Sequence, residues 1–384
     1  GRGLIHGGGS QTFFTRGENG QFVFIPIEYN TDKKVWFCQT NGPRKWAIID
    51  GTFPLDECEW PPKRALGIGQ GQTCQNCHGS QIELTFDNEA QRYSTRVKSF
   101  DINCESCHGP GRTHVNRMRA GGEVKPGELG MTPLSLETKQ GSMKVCLACH
   151  ATKPVIAAGY LSGDDLDEFF AQLTLWSVGD RKVNFDGRTL NFDYQQSHLY
   201  SDCYVNGSMT CVDCHAPHRL DYRDVHGDPL VGRFDDRQCT SCHAAKAKDP
   251  KAHHGHGPKT RCTDCHMPFH QHPLVGTQMK MARSDHAIPV PRPLSEDDAN
   301  AKNVCMDCHR EQDKAWLNEG YSRLFGRPKP RPQLVEDLFK FSQTLGPQSR
   351  PVGTPKTIAQ AEQMVSRLTR NAPLVSLRAM SYLV

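Results

Sequence analysis

Alternating apolar and polar residues near the start of the chain predict β-strands. Three segments rich in Phe, Val, Ile and Trp are separated by short turn-forming stretches: residues 11–16, 21–29 and 34–39. Period-two alternation of this kind is typical of strands that bury one face. We therefore expect a small antiparallel β-meander in a β-rich segment over residues 1–66, extended by a further strand at residues 46–49.

Helical periodicity marks the other end of the chain. Apolar residues recur every three to four positions, with prolines as breaks, in four stretches: residues 312–324, 334–345, 357–369 and 374–383. Between the two ends, residues 67–310 are rich in Gly, Pro and short polar runs, so short helices and many loops are expected, with one longer helix over 166–178. The pattern predicts a central domain at 67–310 and a helical segment at 311–384.

The central domain carries the motif Cys-x-x-Cys-His seven times, which is typical of c-type haem attachment. Two thiols three residues apart can bond to the two vinyl groups on one porphyrin edge, and the His that follows supplies an axial nitrogen to the iron. The sequence therefore predicts seven c-type haems. The attachment cysteines and proximal histidines are Cys74, Cys77 and His78; Cys104, Cys107 and His108; Cys146, Cys149 and His150; Cys211, Cys214 and His215; Cys239, Cys242 and His243; Cys262, Cys265 and His266; and Cys305, Cys308 and His309.

Two other uses of paired cysteines compete with haem attachment. Zinc ribbons are built from Cys-x-x-Cys pairs, and small secreted domains use cysteines as a disulfide framework. Neither use requires a His directly after the second Cys in every copy. Haem attachment is therefore the interpretation we adopt.

Composition and charge agree with a chain that carries several haems. Apolar residues make up 36% of the sequence, which is low, and porphyrin faces would supply the missing apolar bulk. The formal charge of +4 has no dense basic run, so nucleic acid is not an expected partner. With two ionised propionates on each haem and one positive charge on each ferric bis-imidazole centre, the total becomes roughly −3 when oxidised and roughly −10 when reduced. No apolar run is long enough to span a membrane.

Eleven histidines remain after the proximal seven, enough to give every iron a second imidazole. A second His closes the iron to substrates and lowers its potential relative to Met. His218 lies three residues after His215 and cannot reach the opposite face of the same iron, so it would bind a neighbouring haem. The same argument applies to His114, while His254 and His256 could serve two different irons.

Several stretches resemble the multihaem cytochrome c superfamily that includes the tetrahaem cytochrome of ammonia oxidisers. The resemblance is closest to the haem-bearing part of multihaem cytochromes that carry tetratricopeptide repeats. It covers most of residues 7–310 and is carried by GGGSQTFFTRGENGQFVFIPIEY (7–29), CESCHGPGRTH (104–114), GSMTCVDCHAPH (207–218), HHGHGPKTRCTDCHMP (253–268) and DHAIPVPRP (285–293). It implies a mostly α and irregular fold with low regular secondary structure, a small N-terminal β-meander and C-terminal helices.

The resemblance also implies distal ligands. These are His114, His218, His256 and His286, followed by His198 and His254. Two departures from the family pattern bear on the remaining candidate, His6. Relatives usually carry one more haem motif before the β-strand region and repeats after the haem segment, and this sequence has neither. We read the chain as trimmed, or as a variant in which His6 serves a haem from elsewhere.

Three cysteines lie outside the motifs. Cys38 and Cys58 could form a disulfide in an oxidising compartment, or could be two buried free thiols. Cys203 would then be unpaired, either buried or available for a cross-link between chains.

Electron transfer is the function that this sequence favours. Seven closely spaced six-coordinate haems would conduct by tunnelling, with the protein setting spacing and potential. We expect a periplasmic or cell-surface carrier in a prokaryote, whose partners are redox proteins, other multihaem cytochromes or copies of itself. The alternatives are an enzyme with one open haem acting on a small nitrogen or sulfur compound, and a subunit of a polymeric haem wire or respiratory complex.

Overall fold

The structure is a computed structural model, and it describes part of the chain. The described residues are 4–6, 10–16, 22–31, 33–38, 46–60, 80–99, 102–132, 134, 138–151, 153, 157, 159–170, 195–271, 282–293, 303–330 and 333. The predicted helices at 334–345, 357–369 and 374–383 lie outside them. Contacts divide the chain into two units, one of Gly1–Gln172 with Gln271–Arg283 and one of Leu173–His270 with Ser284–Val384. The predicted boundaries at residues 66 and 310 stay a prediction.

The N-terminal β-meander is confirmed, and it has five antiparallel strands in chain order. They are β1 (Leu4–His6), β2 (Ser10–Arg16), β3 (Phe22–Asn30), β4 (Val35–Cys38) and β5 (Ile48–Ile49). Strand β1 was not predicted, because three residues are too few to establish an alternating pattern. A register shift interrupts the pairing of β2 with β3 between Thr12 and Phe14.

A disulfide fixes the buried side of this sheet. Cys38, the last residue of β4, is bonded to Cys58, with the Cα atoms 5.6 Å apart. Cys58 ends a short 3-10 helix, Leu55–Cys58. Next to the disulfide, the rings of Phe37 and Trp46 stack with centroids 5.7 Å apart, and both side chains are buried. The disulfide alternative is thus confirmed over the pair of free thiols.

A carboxylic acid is buried in the same sheet. Glu28 on β3 is 1% exposed, and its Oε1 accepts a hydrogen bond of 2.7 Å from the Thr12 hydroxyl on β2. Burial raises the pKa of Glu28 to about 7, because it removes water from the charged form. The carboxyl group therefore titrates near neutral pH.

A second hairpin, formed by β6 (Ser80–Asp87) and β7 (Arg92–Ser99), follows the first haem motif. It was not predicted, although Ile82, Leu84 and Phe86 alternate with polar residues in the sequence. Such alternation is the ordinary signal for a strand.

Short helices make up most of the remaining regular structure, as predicted. The first unit contains α1 (Cys104–His108), α2 (Arg112–Ala120), α3 (Lys139–Leu147), α4 (Leu166–Phe169) and the 3-10 helix Pro126–Glu128. Helix α4 begins where the predicted helix 166–178 begins and ends at Phe169, and residues 171–178 lie outside the described part.

The second unit is built from equally short elements. Its helices are α5 (Asp202–Val205), α6 (Arg237–Thr240), α7 (Ala244–Lys248), α8 (Pro250–His254), α9 (Cys262–His266), α10 (Val304–Cys308) and α11 (Lys314–Phe325). The 3-10 helices are Gln196–Tyr200 and Cys211–Asp213, and β8 (His215–Ala216) pairs with β9 (Asp221–Tyr222). Strands β10 (Phe269–Gln271) and β11 (Ala282–Ser284) complete the described elements. Helix α11 confirms the helix predicted at 312–324.

Across the described ranges, no helix is both long and apolar enough to cross a bilayer.

Candidate functional site

Six of the seven haem motifs fall within the described residues, and each forms or borders a short helical turn. The first motif, Cys74, Cys77 and His78, lies outside them. In α1, α9 and α10 the two cysteines stand three residues apart on one helical turn. Side chains at i and i+3 share one helix face, so both thiols can address one porphyrin edge.

The motif helps to build its own helical turn. The residue directly before the first Cys caps the turn, and the residue before the second Cys returns a hydrogen bond. Asn103 Oδ1 accepts the backbone N–H of Glu105 at 3.0 Å, while the Asn103 N–H donates to the Ser106 hydroxyl at 3.2 Å. The same return bond runs from the Thr210 N–H to Asp213 Oδ2 at 2.6 Å. This capping box fixes where the thiols stand.

A similar return bond occurs at the sixth motif, from the Arg261 N–H to Asp264 Oδ2 at 3.0 Å. Six of the seven motifs place Ser, Asp or Asn at this position. Sequence reasoning overlooked this feature, although the recurring residue type could have revealed it. The second variable residue of the motif therefore contributes to its fold.

Backbone carbonyls hold several of the candidate iron ligands through Nδ1. His266 Nδ1 lies 2.9 Å from the Pro289 oxygen, and His108 Nδ1 lies 3.4 Å from the Thr132 oxygen. Among the predicted distal ligands, Nδ1 lies 2.9 Å from a carbonyl in both His114 (Leu129) and His286 (Ser284). A proton held on Nδ1 leaves Nε2 with a free lone pair, which is the form that binds a metal.

Three proximal histidines each face a second imidazole across a gap. Two imidazoles on opposite sides of one iron each place a nitrogen about 2 Å from the metal, with the ring centre about 1 Å further out. Their centroids should therefore lie about 6 Å apart. The observed pairs are His215 with His286 at 6.4 Å, His266 with His253 at 6.3 Å and His309 with His256 at 6.0 Å.

Burial favours the neutral form of the paired imidazoles at the fourth and sixth motifs. Loss of water lowers the pKa of His286 to about 4, and it also lowers the pKa values of His215 and His266. Because only the neutral ring has a lone pair for a metal, burial favours the ligand form. The ring spacing fits a haem iron between the rings of each pair, and at the fourth and sixth motifs the Nδ1 contacts and the lowered pKa values agree with it.

His253 is the residue that sequence reasoning missed. Prediction favoured its neighbour His254, but His253 is the one that faces His266, with the ring planes 4° apart. The Nδ1 of His254 instead accepts the backbone N–H of His256 at 3.1 Å. The sequence feature that could have pointed to His253 is its position three residues before His256, the other ligand in this segment. Ligation by His254 stays a prediction.

Other predicted ligands have different surroundings. His198 is buried, with Nε2 3.1 Å from the Met209 carbonyl and Nδ1 3.1 Å from the Ser201 hydroxyl. Both ring nitrogens of His198 therefore contact protein groups. His218 is exposed in the turn between β8 and β9. His6 lies on β1, and its side chain is outside the described part.

Successive motifs approach one another closely in the second unit. A hydrogen bond to the Cys262 thiol raises the pKa of Cys239, and Asp236 Oδ1 accepts the Cys262 N–H at 2.9 Å. Burial, with Cys305 nearby, raises the pKa of Cys265 to about 11. The fifth motif therefore adjoins the sixth, and the sixth adjoins the seventh.

Two further adjacencies come from the same kind of evidence. Burial, together with the charges of Asp213, Cys203 and Cys242, raises the pKa of Cys214 to about 11. In the first unit, burial and the nearby Cys146 raise the pKa of Cys107. The fourth motif thus adjoins the fifth, and the second adjoins the third. Cys203 is a half-buried free thiol, which confirms that it is unpaired within the chain.

The zinc alternative was checked on the same side chains. Within the described residues, no group of three or more His, Cys, Asp or Glu side chains is arranged to hold a metal ion. The described cysteine pairs thus form no zinc cage.

Comparison with known proteins points to haem proteins. The chain is 24% identical over 249 residues to multiheme cytochrome MtrA of Shewanella baltica (strain OS185), which covers 63% of the chain and 56% of that protein. The chain thus spans just over half the length of this curated relative. The crystal structure of outer cell wall cytochrome OcwA matches with a TM-score of 0.50 and 16% identity, covering 98% of this chain and 86% of OcwA. No family model matches.

These matches agree with the geometry of the site. The chain has a multihaem cytochrome fold with low regular secondary structure. Both matched proteins are cytochromes by name, one of them a multiheme cytochrome. The sequence match and the shared fold support the multihaem cytochrome c superfamily as the family of this chain.

Proposed function

We propose that this protein transfers electrons through seven covalently attached c-type haems, as an extracytoplasmic carrier or conduit. The single observation that carries the proposal is the set of three imidazole pairs with centroids 6.0 to 6.4 Å apart. A c-type haem supplies one-electron chemistry between ferric and ferrous iron. The residues of this chain determine where each haem is held and which ligands it has.

The paired rings assign three distal ligands. His286 would complete the haem of the fourth motif, His253 that of the sixth, and His256 that of the seventh. His114 is proposed as a further distal ligand, because its Nδ1 contact to Leu129 leaves Nε2 available. An iron with two imidazoles has no position for a substrate, which favours a carrier over an enzyme.

The adjacent motifs suggest an electron route. Thiols of the fourth, fifth, sixth and seventh motifs approach one another in sequence, and those of the second approach those of the third. Since the thiols mark one edge of each porphyrin, consecutive haems in the second unit would meet near these edges. Electrons would then move through the second unit in the order of the motifs.

The enzyme alternative needs an iron that lacks a second imidazole. Among the described residues, no imidazole ring faces His243, the proximal residue of the fifth motif. If the protein is an enzyme, this motif is the first place to look for the open iron. EPR of the oxidised protein separates the two functions. The carrier predicts low-spin signals alone, whereas an open iron gives a high-spin signal that changes on adding nitrite or hydroxylamine.

Substitution of His253 tests the ligand assignment. We expect His253→Ala to convert one of the seven haems to a high-spin species and to raise its potential, because the iron loses an imidazole. The matched control is His254→Ala, which alters the neighbouring ring and should leave the spin state unchanged. The opposite result for the two variants would assign the ligand to His254. Mass spectrometry should show the 43.0 kDa polypeptide with seven haems attached.

A further inference from the structure

We propose that a cationic surface beside the fifth haem motif is the docking site for an acidic redox protein. This surface, called here the α7–α8 surface, consists of residues 244–251 with Lys259 and Lys329. The inference rests on the proposed function, because docking matters only if a haem is attached at Cys239 and Cys242.

The α7–α8 surface begins directly at the haem motif. Helix α7 starts at the residue after His243, and all of residues 242–249 are exposed. A partner that contacts α7 would therefore approach within one or two helical turns of the attached haem. Short separation between donor and acceptor is what electron transfer between proteins requires.

Positive charge predominates on this surface. Residues 243–260 contain four lysines and one acidic residue, Asp249. Within the described residues, none of these four lysines forms an ion pair. Basic side chains elsewhere do, as in Lys144 with Asp165 at 2.7 Å and Arg261 with Asp264 at 2.7 Å.

Further positive charge and some apolar surface adjoin these lysines. Lys246 and Lys329 both lie near His253. Three exposed alanines alternate with the lysines of α7. Leu324 is 52% exposed and lies next to Gly255. A Cβ atom added to Gly255 would be 3.3 Å from the Cδ2 atom of Leu324. Small apolar groups bordered by charges are typical of a docking surface.

The charge of the whole protein determines which partner fits. Haem propionates make the holoprotein negative, roughly −3 to −10, so most of its surface would repel an acidic protein. A local cluster of lysines would attract and orient such a protein at one place. In the redox step, one electron passes from the partner's reduced centre to a ferric haem, with no bond formed and no proton moved.

The test measures binding first, without electron transfer. A plant-type [2Fe–2S] ferredoxin, a small acidic protein, is titrated in its oxidised form into the oxidised cytochrome by calorimetry. We expect binding that weakens at least about tenfold between about 0.01 M and about 0.15 M ionic strength, where the Debye length falls from about 30 to about 8 Å. A basic cytochrome c in place of the ferredoxin should show no comparable interaction at this surface.

Charge reversal then locates the site. The triple variant Lys246→Glu, Lys248→Glu and Lys251→Glu should weaken ferredoxin binding at least about tenfold at low salt, and slow its reduction of the cytochrome by a similar factor. The control, Lys33→Glu, Lys98→Glu and Lys125→Glu, makes the same change in net charge at exposed positions in the first unit. Equal loss in both variants, or no loss in either, overturns the proposal.

Two further measurements separate a failure of the docking proposal from a failure of the proposed function and from binding to a membrane. Reduction by dithionite should be unchanged in both triple variants, and a wild-type protein that dithionite cannot reduce would refute the proposed function instead. Binding to vesicles of anionic phosphatidylglycerol is measured at the same ionic strength. If vesicles bind and ferredoxin does not, the surface contacts a membrane and the docking proposal is wrong.

Discussion

The N-terminal sheet and the second unit are stabilised in different ways. The sheet has strands of seven and nine residues, a disulfide and the fully buried side chain of Phe37. Across residues 202–249, by contrast, Tyr204 and Leu230 are the buried apolar side chains, and the helices have four or five residues. Ordinary burial and hydrogen bonding can hold the sheet, while residues 202–249 of the second unit would need the faces of the proposed haems for a core.

Removing one haem should destabilise residues 202–249 and leave the N-terminal sheet intact, which is the largest effect that we expect. We expect Cys239→Ala with Cys242→Ala to abolish hydrogen-exchange protection across residues 202–249, because these residues lose the apolar surface on which they pack. Strands β2 and β3 serve as the internal control and should keep their protection. Unchanged protection in 202–249 would show that the polypeptide holds this region alone.

The disulfide tests the other side of the comparison. Cys58→Ala should destabilise the sheet by about 3 kcal/mol, because the bond closes a short loop and restricts the unfolded chain. The haem spectra should not change. Cys203→Ala removes a free thiol and is the matched control, with a smaller expected loss. Chemical denaturation followed by tryptophan fluorescence measures both, and equal losses would contradict the prediction.

The buried acid gives an effect that is present only at high pH. The pKa of Glu28 is about 7 when folded and 4.5 ordinarily, so folding favours its protonated form. The stability that protonated Glu28 gives to the folded state is complete below pH 4.5. It is lost as the pH rises from 4.5 through about 7, and above that pH the stability no longer changes. Glu28→Gln should therefore stabilise the sheet at pH 8 by up to about 3 kcal/mol and have little effect at pH 4. Thermal unfolding at both pH values measures this, and an equal effect at both would refute it.

Local patterns predicted the sheet and the C-terminal helix well. Alternation located β2, β3 and β4 within one or two residues, and helical spacing located α11, because both signals reside in neighbouring residues. The Cys-x-x-Cys-His motif likewise predicted the attachment turns, since a short turn needs few residues.

Ligand pairing could not be predicted to the same degree. His215 and His286 are 71 positions apart, and their facing rings depend on how the loops between them fold. Adjacent histidines raise a second difficulty, because His253 and His254 differ only in the direction of their side chains from α8. Sequence reasoning chose His254, since spacing from the next motif does not encode direction.

The segment that holds His253 and His256 also has a consequence for how the protein matures. On the proposed ligation, these two residues belong to different irons, and Gly255 between them has a φ of +73°, which favours glycine. The stretch would take its final conformation only with both irons in place. Completion of the sixth centre would then be coupled to completion of the seventh.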